Sequence, residues 1–285
     1  MSASSILKKW ATGLSVLGGG TLFYWNVYGN KEYLQVHNSW TTNVTPSVKW
    51  DHNWDRRDPR SLVKPMKGNS VSDENAYNQE LSVKKAKVIR HILLIRHGQY
   101  NIEGKTDCDR TLTDRGRRQA EATGRRLQEL GLPYTQIIRS TMTRAQETAK
   151  IIEENIKNLA VKDDVFLVEG APIPPEPPIG HWKSEIYFYE DGPRIEAAFR
   201  KYFHRADPSQ EKDSYTIIVC HANVIRYFVC RALQFPPEGW MRMGLNHASI
   251  TWITVYPSGR VTLLTYGDTG HMDMIIIKKN VYPII

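Results

Sequence analysis

The residues whose types best suit chemistry follow an apolar run directly. Val88 to Ile95 is rich in Ile, Val and Leu, and Arg96, His97 and Gly98 come immediately after it. Such a run predicts a buried strand, and ligands in α/β sheets bind just beyond the carboxyl ends of strands. An arginine presents a planar fork to phosphate, and a histidine with one free ring nitrogen can attack phosphorus. The alternative is a structural histidine satisfied by a backbone carbonyl, and the triplet alone does not decide between the two.

A second strand-end histidine favours the chemical interpretation. The apolar run 215–220 predicts another buried strand, and His221 follows it, shortly before a helix predicted over 224–233. A histidine there is by itself equally well explained as a core or capping residue. Two strand-end histidines in one small α/β domain are better explained by a shared ligand site.

Two charged residues complete a candidate phosphate site. Arg144 falls in the first turn of a helix predicted over 142–156, where backbone amides attract anions and the guanidinium can fork onto phosphate. Glu169 follows a short strand predicted over 165–168. A carboxyl group in low-dielectric surroundings near the site is pushed toward the protonated form that a general acid requires. Each residue is weak evidence alone, and Arg144 by itself is equally typical of a surface.

The segments around these residues alternate between helical and extended patterns. Helices are predicted over 113–130, 142–156, 193–204 and 224–233, and strands over 88–95, 136–139, 165–168, 215–220, 250–256 and 261–266. This alternation predicts a three-layer α/β/α domain over residues 88–270. An apolar tail, 271–285, follows; the sequence leaves open whether it is an edge strand, an arm docked on its own domain or a partner contact.

The N-terminal part of the chain has a different composition. After a flank over 1–9, residues 10–29 contain no charge and approach the roughly 20 residues needed to cross a bilayer. We therefore predict one transmembrane helix there. A cleaved secretory signal is the main alternative, and the lack of a small-residue cleavage site disfavours it. Residues 30–87 lack a sustained periodic spacing of apolar residues, which predicts a linker. Within it, the polar stretch 70–80 is expected to be mobile.

Two tryptophan–aspartate pairs stand out within this linker. They are Trp50 with Asp51 and Trp54 with Asp55, and Asn53 lies between them. Indoles are costly to expose and strong as anchors, so two of them on a tether indicate docking into a pocket. The alternative, equally open, is that they cover the surface of their own domain.

Charge and cysteine content exclude several classes of protein. The formal net charge is +8, but the basic residues are dispersed and no zinc-finger or RNA-binding pattern is present, so nucleic acid is not an expected partner. Cys108, Cys220 and Cys230 are scattered without paired spacing, which indicates neither a disulfide framework nor a metal site. Cys220 and Cys230 are expected to be buried apolar residues.

The order and context of the candidate residues resemble the histidine phosphatase (phosphoglycerate mutase-like) superfamily. The likeness covers about 88–268 and rests on the Arg-His-Gly triplet, on Ser-Thr-x-x-Arg-Ala-x-Glu-Thr at 140–148, on Glu169 and on His221. A closer resemblance, to a mitochondrial, membrane-anchored branch of protein serine/threonine phosphatases, adds the N-terminal span and the tryptophan–aspartate motif at 50–55.

The resemblance implies a mechanism of two displacements. His97 attacks phosphorus and becomes a phosphohistidine, while Arg96, Arg144 and His221 surround the phosphate oxygens. Glu169 protonates the leaving oxygen and then activates the water that releases phosphate. No metal or other cofactor is implied. Asn101, a few residues past His97, is a candidate additional donor.

The resemblance also implies substrates, partners and a location. Glu169 is followed by Gly-Ala-Pro where true mutases carry a Glu-Arg-His-Tyr-type segment, which favours hydrolysis over mutase activity. The implied substrates are phosphorylated proteins, among them a stress-activated MAP kinase kinase kinase, and the implied location is a mitochondrial membrane, the outer one favoured. The motif at 50–55 is implied to hold homodimers together in higher multimers. A non-catalytic scaffold and a small-molecule phosphatase or mutase remain alternatives.

Overall fold

A computed structural model describes residues 48–66, 68, 70–180 and 183–277 of the 285-residue chain. The predicted transmembrane helix at 10–29 lies outside the described residues. Within them, no helix is both long and apolar enough to cross a membrane. The described residues from Trp50 onward belong to one compact unit, which contains the fold described below.

Six strands in the described part form one mixed sheet. They are β1 (Arg90–Arg96), β2 (Tyr134–Ser140), β3 (Ala160–Asp164), β4 (Ser214–Cys220), β5 (Ile250–Val255) and β6 (Val261–Asp268), in the order β3-β2-β4-β1-β5-β6. The first four are parallel, and β5 and β6 continue the sheet in antiparallel pairing. Arg96 pairs with Cys220, so His97 and His221 follow neighbouring strand ends at the same edge of the sheet.

Helices cover both faces of this sheet. They are α1 (Pro59–Leu62), α2 (Val71–Lys84), α3 (Asp114–Leu130), α4 (Thr143–Asn155), α5 (Glu185–Tyr202) and α6 (Ala222–Ala232). Leu93 and Ile95 of β1 pack on the side of α3 and α4, whereas Ile92 and Leu94 pack with α5 and α6. Because successive side chains of a strand point to opposite faces, a fully apolar strand is buried from both sides. The three-layer prediction is therefore confirmed.

The best-predicted helix is α3, which follows standard capping chemistry. The Thr113 hydroxyl accepts a hydrogen bond from the Gly116 amide at 3.1 Å, and Gly131 ends the helix in the left-handed conformation at φ 57°. Threonine provides an acceptor for an otherwise unpaired first-turn amide, and glycine adopts positive φ without steric cost.

Two predicted elements are wrong. The helix predicted over 193–204 begins eight residues earlier, at Glu185, and contains Pro193 in its interior. The strand predicted over 165–168 is a 3₁₀ turn, because the Asp164 carboxylate accepts from the Phe166 amide at 2.9 Å and closes the chain after β3.

The linker interpretation of residues 30–87 also needs correction. The stretch 70–80, expected to be mobile, belongs to α2, whose N-cap is Ser70 and whose first turn carries Asp73 and Glu74. Helix α2 has no buried residue, so it lacks the apolar period from which helices are recognised in sequence.

The tryptophan–aspartate motif lies against its own domain. Trp50 and Trp54 pack on the core that contains α5 and α6, and the Trp54 indole donates to the Gly259 carbonyl at 2.8 Å. Asp55 forms an ion pair with Arg205 at 3.1 Å, in which both side chains are buried. Of the two interpretations, the structure shows the motif covering its own domain, and multimerisation through it stays a prediction.

The first part of the apolar tail also docks on its own domain. Met272 and Ile276 are buried with Ala122 and Ala248, and the Gln119 side-chain amide donates to the Ile276 carbonyl at 2.8 Å. Residues 278–285 lie outside the described residues.

Candidate active site

His97 lies buried at the carboxyl end of β1 with its two ring nitrogens in different surroundings. Its Nδ1 lies 2.8 Å from the Gly98 carbonyl oxygen, and its Nε2 accepts from Arg144 Nε at 3.3 Å. A carbonyl can only accept, so the proton is on Nδ1 and the lone pair is on Nε2. Nε2 is therefore the atom available to attack a phosphorus.

The surroundings keep this imidazole neutral. Burial holds the pKa of His97 well below its ordinary value of 6.5, and the nearby His221, Arg144 and Arg96 act in the same direction. A cationic imidazole has no lone pair to donate. At neutral pH the lowered pKa therefore maintains the nucleophilic form.

Close backbone packing fixes the turn after His97. A Cβ atom at Gly98 would lie 2.5 Å from the Gly116 carbonyl oxygen, so only glycine permits the N-terminus of α3 to approach this closely. The Gly98 amide donates to the Thr148 hydroxyl at 3.0 Å, and the His97 amide donates to the Cys220 carbonyl at 3.0 Å. These contacts position His97 before any ligand arrives.

Arg144 brings a buried guanidinium to the nucleophile. It lies in the first turn of α4, 4.7 Å above the Tyr100 ring centroid, and it contacts Asp107 at 3.5 Å. Asp107 also accepts from the Thr143 amide at 2.8 Å. The Asp107 carboxylate thus satisfies the first amide of α4 and holds Arg144 at the same time. Arg96, the other predicted phosphate ligand, donates to the Leu245 carbonyl.

His221 stands beside His97, as predicted. The two ring centroids are 5.1 Å apart, and His221 Nε2 is hydrogen-bonded to the Ser140 hydroxyl at 2.8 Å. Burial holds the pKa of His221 well below 6.5. Its buried Nδ1 has no hydrogen-bond partner within the described ranges, which leaves that nitrogen for a ligand oxygen.

Glu169 supplies the carboxyl group of the site. Burial raises its pKa above the ordinary value of 4.5, against the opposing effects of the Gly170 amide, Arg144 and Arg96. The Gly170 carbonyl in turn accepts from the Asn223 side chain at 3.1 Å, which fastens Glu169 to the helix that follows His221. A carboxyl group of raised pKa near two arginines suits proton transfer to a leaving group.

The structure brings together all five predicted site residues, which are Arg96, His97, Arg144, Glu169 and His221. It also adds His247, whose ring centroid lies 5.6 Å from that of His97 and whose pKa is lowered to about 3 by burial and by the two arginines. No local sequence pattern marks His247, because it reaches the site only through the antiparallel pairing of β5 with β1. Asn101 is exposed and donates to the Asp109 carbonyl at 3.3 Å, and its role as an additional donor stays a prediction.

The buried neutral histidines predict a loss of stability in mild acid. Burial lowers the pKa of His204 to about 4 and of His247 to about 3, and it lowers those of His97 and His221. The unfolded chain binds protons near pH 6.5 while the native state does not, so stability is full above that pH and falls below it. We expect each such histidine to lower the free energy of unfolding in urea by about 2 kcal/mol from pH 7 to pH 5, so the summed loss is several kcal/mol. A flat profile would contradict buried neutral imidazoles.

Comparison with known proteins agrees with this geometry. Residues 92–170 and 187–269 match the Histidine phosphatase superfamily (branch 1). The chain is 55% identical over 272 residues to "Serine/threonine-protein phosphatase Pgam5, mitochondrial" of Drosophila pseudoobscura pseudoobscura, covering 93% of this chain and 94% of that protein. It is 58% identical over 243 residues to the protein of the same name from Drosophila yakuba, covering 83% and 84%.

Among solved structures, phosphoglycerate mutase from Plasmodium falciparum is 31% identical, with 64% of this chain and 92% of that chain covered and a TM-score of 0.46. The two ranges matched to the superfamily contain every residue assigned above to the candidate site. The chain belongs to the histidine phosphatase superfamily.

Proposed function

We propose that the protein is a mitochondrial serine/threonine protein phosphatase that works through a phosphohistidine at His97. The observation that carries the proposal is the tautomer of His97, whose Nε2 lone pair lies beside Arg144. The His221 ring centroid lies 5.1 Å from that of His97. The relatives reported above, more than half identical to this chain, are named serine/threonine phosphatases and mitochondrial.

In the first displacement, the Nε2 lone pair of His97 forms a bond to phosphorus and the bond from phosphorus to the serine or threonine oxygen breaks. Arg96, Arg144 and His221 bind the remaining phosphate oxygens, so the transition state is stabilised by fixed charges and donors. Glu169 gives its proton to the departing oxygen, which leaves as the hydroxyl of the dephosphorylated residue.

In the second displacement, a water oxygen attacks the same phosphorus. Glu169, now a carboxylate, accepts the proton of that water, and the phosphorus–nitrogen bond breaks with its electron pair returning to His97. The products are inorganic phosphate and the starting protein. Protein side chains supply every group that these two steps use.

The proposal is tested by measuring which phosphate esters the protein uses and whether the phosphoryl group goes to water or to a second hydroxyl. We expect phosphate release from phosphoserine and phosphothreonine peptides, and no interconversion of 2- and 3-phosphoglycerate. Release can be followed colorimetrically and interconversion by nuclear magnetic resonance. Rapid interconversion would establish a mutase, and peptides left intact beside hydrolysed sugar phosphates would establish a small-molecule phosphatase.

Glu169→Gln tests the acid role. The amide cannot donate a proton to a poor leaving group, whereas an aryl oxygen leaves without one. We expect kcat on phosphoserine peptides to fall about 100-fold. On an aryl phosphate, we expect the rate of the first displacement, measured as a pre-steady-state burst, to fall less than about fivefold. Equal losses on both substrates would remove Glu169 from this role.

We also propose the finer properties that the superfamily resemblance implies. These are an anchor in a mitochondrial membrane through residues 10–29, the outer one favoured, action on a stress-activated MAP kinase kinase kinase, and multimers built through the motif at 50–55. A purely non-catalytic scaffold has no use for a buried nucleophile with a defined tautomer, so the site favours the enzyme.

A further inference from the structure

A groove lies along the segment that follows Glu169. One wall is the proline-rich loop 172–178 and the other is the N-terminal half of α5. It consists of two hollows of about 490 and 360 Å³ that share Pro174 and Phe188. We call the two together the proline groove. None of the residues assigned above to the catalytic site lines it.

The proline groove is apolar at its base and fixed in shape. Its lining includes Ile173, Phe188 and Tyr189. The buried Trp240 indole donates to the Ile173 carbonyl at 3.0 Å, and Asp191 of α5 accepts from the Ala171 amide at 3.0 Å. A groove whose walls are already ordered binds a ligand without a further entropic cost for the protein.

Two large apolar side chains, one of them in the groove lining, stand exposed on the N-terminal half of α5. Tyr189 is 75% exposed and Ile186, on the same half of α5, is 58% exposed. Apolar groups collected on one exposed face, beside a catalytic pocket, are typical of a recognition surface.

The rim of the proline groove is acidic. Glu185 lines the first hollow, and Glu176 and Glu238 line the second. The opposing charges at the second hollow are Lys183, 4.3 Å above the Tyr187 ring, and Arg242, which donates to the Glu176 carbonyl at 2.8 Å, so the unpaired negative charge is that of Glu185 at the first hollow. A further lining carboxylate, Glu196, is already paired with Arg200 and Arg231. The catalytic pocket, by contrast, presents Arg96 and Arg144. The two neighbouring surfaces therefore carry opposite charge.

We propose that the proline groove binds the polypeptide that flanks the phosphorylated residue, and that it selects segments combining an apolar or aromatic residue with a Lys or Arg. The inference rests on the proposed protein phosphatase function and adds the substrate class. The opposite charges orient such a segment, with its phosphate at the arginines and its cation at Glu185.

The length of chain between Glu169 and the groove determines which substrate residues can contact the groove. Pro172, at the near end of the groove, is three residues from Glu169, and three extended residues span at most about 10 Å. The leaving oxygen must lie beside Glu169. A substrate residue that enters the groove is therefore about three to five positions from the phosphorylated residue.

The test compares peptides that share one phosphothreonine and differ only at these positions. One series carries a Leu-Arg pair at these positions, a second a Leu-Asp pair and a third a Ser-Gly pair. Each pair is placed N-terminal to the phosphothreonine in one peptide and C-terminal to it in another. An aryl phosphate, which is too small to reach the groove, reports the chemistry alone. We expect kcat/KM for the Leu-Arg peptide to exceed that for the Ser-Gly peptide by about tenfold, through KM.

Variants of the groove assign this preference to its residues. We expect Tyr189→Ala to remove most of the preference and Glu185→Lys to favour the Leu-Asp peptide over the Leu-Arg peptide. Both should leave aryl phosphate turnover unchanged. Glu190→Lys is the matched control on the same helix, because Glu190 does not line the groove, and we expect it to behave as the wild type.

The outcomes separate this inference from the function on which it rests. Equal hydrolysis of all peptides by the wild type would overturn the groove assignment and leave the protein phosphatase in place. Hydrolysis of the aryl phosphate with no peptide hydrolysed would overturn both. Groove variants that lose peptide and aryl phosphate activity in equal measure would also overturn the assignment, because the loss would then lie in the catalytic site.

Discussion

Replacing His97 with alanine is expected to lower phosphate release from phosphopeptides at least about 10⁴-fold, because the variant loses the atom that bonds to phosphorus. The arginines and His221 remain and still bind the phosphate group. The expected loss is therefore in kcat, with KM changed little. Steady-state kinetics on one phosphothreonine peptide measures both quantities.

The control for His97→Ala is Glu103→Ala, which replaces an exposed residue six positions away in sequence. It should retain wild-type activity. Thermal unfolding of each variant shows whether a loss of activity reflects a loss of fold. A folded His97→Ala protein within tenfold of wild-type activity would show that phosphate is transferred directly to water, without a covalent intermediate on this residue.

The second large effect is expected at the tryptophan–aspartate motif. Asp55→Ala removes the carboxylate that pairs with Arg205, whose side chain is only 1% exposed. Breaking a buried pair leaves an uncompensated buried charge, which costs about 3–5 kcal/mol. Asp55 also accepts from the Arg205 amide at 2.7 Å, so a backbone hydrogen bond is lost with the ion pair. Urea denaturation measures the change.

Asp51→Ala is the matched control for Asp55→Ala within the same motif. The Asp51 side chain is exposed, and among the described residues it accepts only from the nearby Asn53 amide, at 2.8 Å, so we expect a loss below about 1 kcal/mol. Equal losses for the two variants would contradict docking of the motif on its own domain through Asp55. Light scattering on the same variants, and on the double variant Trp50→Ala/Trp54→Ala, tests the multimer. Its particle mass should fall if the motif of one copy binds the domain of another.

The sequence carries much of this fold in local patterns. The strand run that ends at Ile95 is apolar on both faces and was recognisable for that reason, and Thr113 with Gly131 marks both ends of α3. Patterns failed where local structure has other causes. The exposed helix α2 has no buried face, so its sequence lacks the 3.6-residue spacing of apolar residues. Proline is common at helix N-termini, but Pro193 lies in the interior of α5.

The site was predictable where its residues follow strand ends. His97 and His221 each come directly after a buried parallel strand, so their order in the sequence indicates their proximity in the fold. His247 reaches the same pocket from the start of an antiparallel strand, and Asp107 reaches it from a long loop. Neither position follows from local sequence, because both depend on how distant segments pair.

The central claim is the covalent intermediate at His97, and trapping it is the most direct test. Wild-type protein is mixed with a rapidly hydrolysed aryl phosphate, quenched in alkali, where phosphohistidine survives, and examined by intact mass and peptide mapping. We expect one phosphoryl group on His97, attached to Nε2 as phosphorus–nitrogen couplings report, and none in His97→Ala. A phosphoryl group on another residue, on Nδ1, or on none during active turnover would contradict the mechanism.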